Sequence, residues 1–219
     1  YTVMGIPIAR IADRTNRRNL IAAALAVWSL FTALQGFVQN FIQLLLFRIG
    51  VGVGEAGCSP PSHSILADYY PPERRATALG IYALGIPFGV LFGFFVGGWM
   101  EEFFGWRWAF VVVGIPGLLL ALLVRFTVRE PRRGMSETIQ PAADAPPAVQ
   151  PPVKEVIAYL LARRSFIHMA IGGGVTAFVG YGLITFAAAF FTRSHGMSSG
   201  ELGTYLGLIF GIPGGIGIA

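Results

Sequence analysis

The sequence predicts an all-α, polytopic membrane helical bundle, and three observations predict it. Of 219 residues, 54% are hydrophobic and only 12% charged, about half the charge a soluble domain uses to cover its water-facing surface. The apolar residues fall in runs of roughly twenty, the length that crosses a bilayer core as a helix. Backbone groups in lipid must be satisfied within the segment, which makes these runs helices. The period-two alternation of a membrane β-barrel is absent.

Taken in order, an apolar stretch runs from Tyr1 to about Ala9 and ends in a basic loop from Arg10 to Arg18. Apolar spans follow near 19–38, 41–69, 76–100, 108–126 and 166–191, and a last one starts near Gly203. The connection 127–165 is long, polar and rich in Pro and Ala, which reads as a linker between two helical bundles. Within it, 153–161 has the pattern of a short amphipathic helix at the membrane surface. The expected organisation is therefore a partial N-terminal bundle over 1–126, a cytoplasmic linker over 127–165, and the start of a C-terminal bundle over 166–219. Both ends lie inside apolar segments, so the sequence predicts a fragment.

The net charge of +5 raises the question of nucleic acid, but the positions of the basic residues answer it. Arg10, Arg14, Arg17 and Arg18 share one loop. Arg74 and Arg75 lie two loops on. Arg125, Arg129, Arg132, Arg133, Lys154, Arg163 and Arg164 lie in or beside the linker. The intervening loops hold only Arg107 and Arg193. This alternation places the Arg14, Arg74 and Arg132 loops in the cytoplasm, with Glu101 and Arg193 outside. The single Cys58 excludes a disulfide framework and a CxxC metal site. His63, His168 and His195 share no metal-ligand spacing. No nucleophile–base set or paired-carboxylate site is visible, so neither a cofactor nor an enzyme is expected.

Two charges, Arg48 and Glu55, fall inside a span. An ionisable group at membrane depth costs several kcal/mol, so it faces a cavity or a partner. Their spacing of seven puts them about two turns apart, nearly on one helix face, and Gly52, Ser59 and Ser62 fall on the same stripe. Arg48 can hold an anionic group in bidentate fashion. Glu55 can titrate, burial raising its pKa and a nearby Arg lowering it. The alternative is a structural polar cluster between helices. Gly85, Gly89, Gly93 and Gly97 repeat every four residues, as do Gly207, Gly211 and Gly215. Small residues at this spacing let helices approach closely, either to slide or to pack statically. Tyr181, with Phe178 and Phe186, either contacts an acyl chain in a cavity or faces lipid. Gly5-Ile6-Pro7 and Gly211-Ile212-Pro213 hint at the internal repeat of many transporters.

The run Ala9-Arg10-Ile11-Ala12-Asp13-Arg14-Thr15-Asn16-Arg17-Arg18 resembles the G-x-x-x-D-R-x-G-R-R loop signature of the major facilitator superfamily. Asp13, Arg14, Arg17 and Arg18 match, while Ala9 and Asn16 replace the two glycines. Arg48-Ile49-Gly50-Val51-Gly52 resembles an element of that family's fourth helix. Gly85-Ile86-Pro87-Phe88-Gly89 resembles its fifth-helix antiporter element, with the proline displaced by one residue. Gly105-Trp106-Arg107-Trp108-Ala109-Phe110 resembles the opening of its sixth. The resemblance runs from within the second helix to within the eighth of twelve. Asp13-Arg14-Thr15-Asn16-Arg17-Arg18 and Gly52-Val53-Gly54-Glu55-Ala56 are most similar to the spinster branch.

This resemblance implies secondary transport by alternating access in a lipid bilayer, at the plasma (inner) membrane. It implies a small-molecule or lipid substrate, amphiphilic, anionic and lysolipid-like, with protons as the coupling partner in some members. It implies a substrate or proton site at Arg48 and Glu55, joined by an acidic residue of a first helix outside this sequence. Asp13, Arg14, Arg17 and Asp68 become a cytoplasmic gate, and Gly85, Gly89 and Gly211 a gating seam between the fifth and eighth helices. A drug or organic-anion transporter of the same fold is the closest rival. A non-transporting receptor or scaffold is a rival of another class, disfavoured by the Arg48–Glu55 pair.

Overall fold

The computed structural model describes residues 2–137 and 152–218. The middle of the expected linker, 138–151, lies outside the described residues. The first helix, α1 (Thr2–Arg14), is followed by α2 (Arg17–Leu34), α3 (Phe41–Glu55), α4 (Ser59–Tyr69), α5 (Pro72–Ala83), α6 (Gly85–Phe104) and α7 (Trp106–Thr127). After the linker come α8 (Val153–Leu161), α9 (Arg164–His195) and α10 (Ser199–Ile216). Among the described residues, five stretches are long and apolar enough to cross a membrane: Arg17–Phe37, Phe41–Tyr69, Pro72–Phe104, Trp106–Thr127 and Arg164–His195. All described regular structure is helical, as a lipid-embedded backbone requires.

The chain divides into two compact units, 1–140 with 198–219, and 141–197. In the first, α2 packs on α3 and α7, and α6 packs on α7 and α10. Small residues permit the close approaches. Gly114 of α7 lies against Ala33 and Gly117 against Ser29, where an added Cβ would collide. In the second unit, α8 adjoins the long α9, and the Arg163 guanidinium lies 4.8 Å from the centre of the Tyr159 ring.

Local chemistry sets the boundaries. Asn16, one of the residues replacing a family glycine, is the N-cap of α2, and its side chain accepts the Asn19 amide at 2.9 Å. An Asn in this position stabilises a helix start by about 1 kcal/mol over Ala. Gly105 alone joins α6 to α7 at φ 85, a backbone region that favours glycine. The span 41–69, expected as one helix, breaks at Ala56–Cys58 and restarts at Ser59. The cause is Pro60-Pro61: neither residue has an N–H to bond back to Ala56 or Gly57, so the helical ladder lapses there.

The basic loops gather at one end of the first unit. Arg133 donates to the Ala12 carbonyl at 2.6 Å, and Arg75 pairs with Glu137 at 2.9 Å. The alternation of basic loops predicts that this end is the cytoplasmic one. Single cysteines at positions 101 and 132 of the full-length protein test it. An impermeant thiol reagent added to intact cells should label position 101 and spare 132; labelling of 132 from outside refutes the orientation.

Candidate functional site

Two sites are built in the first unit. The first is a cavity of about 500 Å³ beside the α6–α7 turn. From α2 it takes Trp28 and Thr32; from α3, Arg48, Val51 and Glu55. Gly93, Gly97 and Glu101 of α6 form another wall, and Trp106, Ala109, Phe110 and Val113 of α7 a third. The two glycines keep the α6 wall flat, since nothing lies within 4 Å of where their side chains would start.

Arg48 and Glu55 therefore share one cavity, as their spacing along α3 dictates. Both are exposed into it rather than packed between helices. Among the described residues no ion pair joins them. The Arg48 guanidinium instead lies 5.3 Å from the centre of the Phe110 ring, a cation–π contact that leaves its N–H fork available. Glu101, expected at an outer loop, lines the same wall and adds a second carboxylate. The cavity thus brings together one cation, two carboxylates and three large aromatic rings.

The extended polar stripe does not survive the break at Ala56–Cys58. Ser59 opens α4, and Ser62 lines a different, apolar cavity of about 590 Å³ in the cytoplasmic half, with Ile21, Tyr69, Tyr82 and Val124. Spacing in sequence gives a shared face only while the helix is continuous. Tyr181 lies on α9, in the second unit.

The second site is the charge cluster at the end where the basic loops gather. Arg17, at the first turn of α2, is 1% exposed. Its Nη1 donates to Asp68 Oδ2 at 2.5 Å and to Ser64 Oγ at 2.7 Å, both on α4. Its Nε donates to Glu130 Oε1 at 2.8 Å, and its Nη2 to the Pro131 carbonyl at 3.1 Å. The second Glu130 oxygen accepts the Arg18 amide at 2.8 Å. Asp68 Oδ1 accepts the Gly134 amide at 2.9 Å. One buried guanidinium thus holds α2, α4 and the segment after α7 together. Asp13 and Arg14 are exposed at the end of α1.

Residues 128–137, expected as the start of a free linker, form a strap across the bundle. Besides Glu130 and Gly134, Ser136 Oγ donates to the Ala67 carbonyl at 2.6 Å, and Tyr69 Oη to the Arg129 carbonyl at 2.6 Å. Glu130 does not stand out in the sequence; its one signal is a lone acid among Arg125, Arg129, Arg132 and Arg133. Burial of Glu130 opposes its ionisation, but the Arg18 amide and Arg17 outweigh that and hold its carboxyl below the ordinary 4.5. A lowered folded-state pKa gives a stabilisation that is complete above the ordinary value and lost as pH falls through the lowered one. The contribution of Glu130 to holding the strap is thus complete near neutral pH and lost only in acid.

The glycine seam also differs from expectation. Gly85, Gly89, Gly93 and Gly97 are open, with nothing within 4 Å of where a Cβ would stand. The face of α6 turned to α10 is Leu91, Phe94 and Gly98, at spacings of three and four. A strict repeat of four drifts about 40° per step around a helix, so the four-spaced row faces elsewhere. On α10, Gly203 crosses Gly98, Gly207 meets the Leu91 carbonyl, and Gly211 meets the Leu91 side chain. Gly211 is therefore in the seam, and Gly85 and Gly89 are not. Gly203→Val should cost the full-length protein about 1–3 kcal/mol through overpacking, because backbone on α6 blocks the new carbon. Gly89→Val should be nearly neutral. Equal losses of thermal stability from the two sink this assignment.

Antiparallel apolar helices around a charged cavity, with basic loops at one end, define a multi-pass α-helical membrane protein. Residues 1–219 match the family model described as Major Facilitator Superfamily, and the chain belongs to that family. It is 38% identical over 218 residues to an MFS-type efflux pump of Mycolicibacterium smegmatis, covering 100% of this chain and 49% of that protein. It is 33% identical over 197 residues to protein spinster homolog 1 of Homo sapiens, covering 89% of this chain and 37% of that protein. Among solved structures it is similar to a bacterial homolog of the human lysosomal transporter Spinster, in an inward-facing and unoccupied conformation. There the TM-score is 0.76 at 39% identity, over 97% of this chain and 48% of the other. The occupied inward-facing form gives 0.77 at 38%, over 97% and 47%. The chain spans about half, or less, of the length of these relatives.

Proposed function

We propose that the full protein is a secondary transporter that moves a small amphiphilic anion, lysolipid-like in character, by alternating access. The observation that carries this reading is the shared cavity of Arg48 and Glu55 with its aromatic wall. Arg48 binds the anionic group, Glu55 exchanges a proton, and Trp28, Trp106 and Phe110 receive apolar substrate surface. We assign Tyr181 to the acyl chain on sequence grounds alone. Asp13, Arg14, Arg17 and Asp68 serve as the cytoplasmic gate. We retain 1–126 as the first bundle, 127–165 as the linker and 166–219 as the start of the second. We place the protein in the plasma (inner) membrane.

Similarity to an efflux pump at 38% identity supports a second reading, export of drugs or organic anions by the same machinery. Reconstitution of the full-length protein in liposomes separates the two. Movement of a lysolipid, accelerated by a pH gradient, is the expected result. Movement of cationic or neutral drugs with no lysolipid movement replaces it with the second reading.

A further inference from the structure

We propose that Glu102 is the outer latch of the transport cycle, tying the outer end of α6 to the first turn of α10. This rests on the alternating-access reading above. Glu102 Oε2 accepts the Ser198 hydroxyl at 2.8 Å and the Gly200 amide at 2.6 Å. Ser198 is the N-cap of α10 and forms a capping box with Glu201. The helix start therefore has a complete local cap before Glu102 arrives. Glu201 Oε2 accepts the Ser198 amide at 3.0 Å, and Ser198 Oγ accepts the Glu201 amide at 3.3 Å. Glu102 satisfies a further free amide of the first turn and sets a negative charge against the positive end of the helix dipole.

The contact is placed where a latch would act. Below it the seam is glycine on glycine at Gly98 and Gly203, then Leu91 against Gly207 and Gly211. Such packing is close but non-directional, and it allows helices to slide or part. One neutral bond, Trp99 Nε1 to Thr204 Oγ1 at 3.1 Å, accompanies it. Hydrogen bonds to an ionised acceptor are roughly twice as strong as neutral ones, so Glu102 supplies the larger directional hold between the two helices. Opening the outer side must release it, and the cost of that release sets how often the outer side opens.

The test measures the distance between spin labels at positions 104 and 205. It uses full-length protein in lipid nanodiscs, in a Cys58→Ser background. Glu102→Ala should raise the ratio of outer-open to outer-closed protein about tenfold, equivalent to about 1.4 kcal/mol. Ser198→Ala, which removes one donor to Glu102 together with the N-cap acceptor of α10, should raise it roughly threefold. Glu201→Gln, which weakens the local cap without touching α6, should leave it unchanged. Unshifted distances in Glu102→Ala and Ser198→Ala, with substrate still moved by the wild type, overturn the latch and leave the transport reading standing. An equal shift from Glu201→Gln reduces Glu102 to a helix cap. A single outer distance in every variant, with no substrate moved, overturns both.

Discussion

Replacing Arg17 with Ala should destabilise the cytoplasmic end of the first unit by about 3–5 kcal/mol, the cost of stripping one partner from a buried charge cluster. The size follows from what is left behind. Asp68, whose side chain is 12% exposed, loses its cation, and so does Glu130 at 23%. Removing the cation and both acids together should cost less than removing the cation alone, because no unpaired charge stays behind. Arg17→Lys should fall between, since one ammonium cannot reach Ser64, Asp68, Glu130 and the Pro131 carbonyl at once. Unfolding of the full-length protein with Arg17→Ala, Arg17→Lys and the triple variant Arg17→Ala/Asp68→Asn/Glu130→Gln measures the order. If Arg17→Ala is no worse than the triple variant, Arg17 is not the organising charge. The same cluster should bias the two transport conformations, because the strap 128–137 is fastened through it. Arg17→Ala should therefore also shift the ratio of inward- to outward-open protein.

Glu55→Gln should preserve anion binding and abolish its pH dependence, while Arg48→Lys should weaken binding roughly tenfold to a hundredfold. The first follows from charge. An ionised Glu55 places a negative charge in the cavity that an anion must enter, and protonation removes it. Binding in the wild type should therefore strengthen as pH falls, coupling proton and substrate through one site. Glutamine is fixed in the neutral state and should bind equally well across the series. The second follows from geometry. Lysine keeps the charge but loses the planar fork, and charged hydrogen bonds contribute about 1.5–3 kcal/mol. It also loses the flat guanidinium that faces Phe110 at 5.3 Å. Substrate binding from acid to neutral pH, for wild type and both variants, gives the answer. A wild-type pH profile in Glu55→Gln removes Glu55 from the coupling role and passes it to Glu101, the other carboxylate of the cavity.

Much of this is legible from residue order. Runs of about twenty apolar residues mark spans because a bilayer has one thickness. Basic loops alternate because the chain crosses that bilayer each time. Arg48 and Glu55 face one cavity because seven residues are close to two helical turns within an unbroken helix. The motifs lead one to expect Arg17 and Asp68 together, and the structure pairs them at 2.5 Å.

The remaining features are not legible, and each for a physical reason. Placing Ser59 and Ser62 with Arg48 extends a periodicity through Pro60-Pro61, where the helix stops. Assigning Gly85 and Gly89 to the seam treats a repeat of four as a stripe. Which side of α6 meets α10 depends on the partner, and Leu91, Phe94 and Gly98 form that side. Glu130 and Glu102 each act on a residue about a hundred positions away, and no local pattern encodes such a pairing. The sequence by itself determined this protein's class, its spans and the charges it must keep inside, because solvent and helical period act on each segment separately. Only the tertiary structure decided which acids fasten which helices, which glycines are in contact and what shares the cavity with Arg48. Those depend on the angle and depth at which one helix meets another.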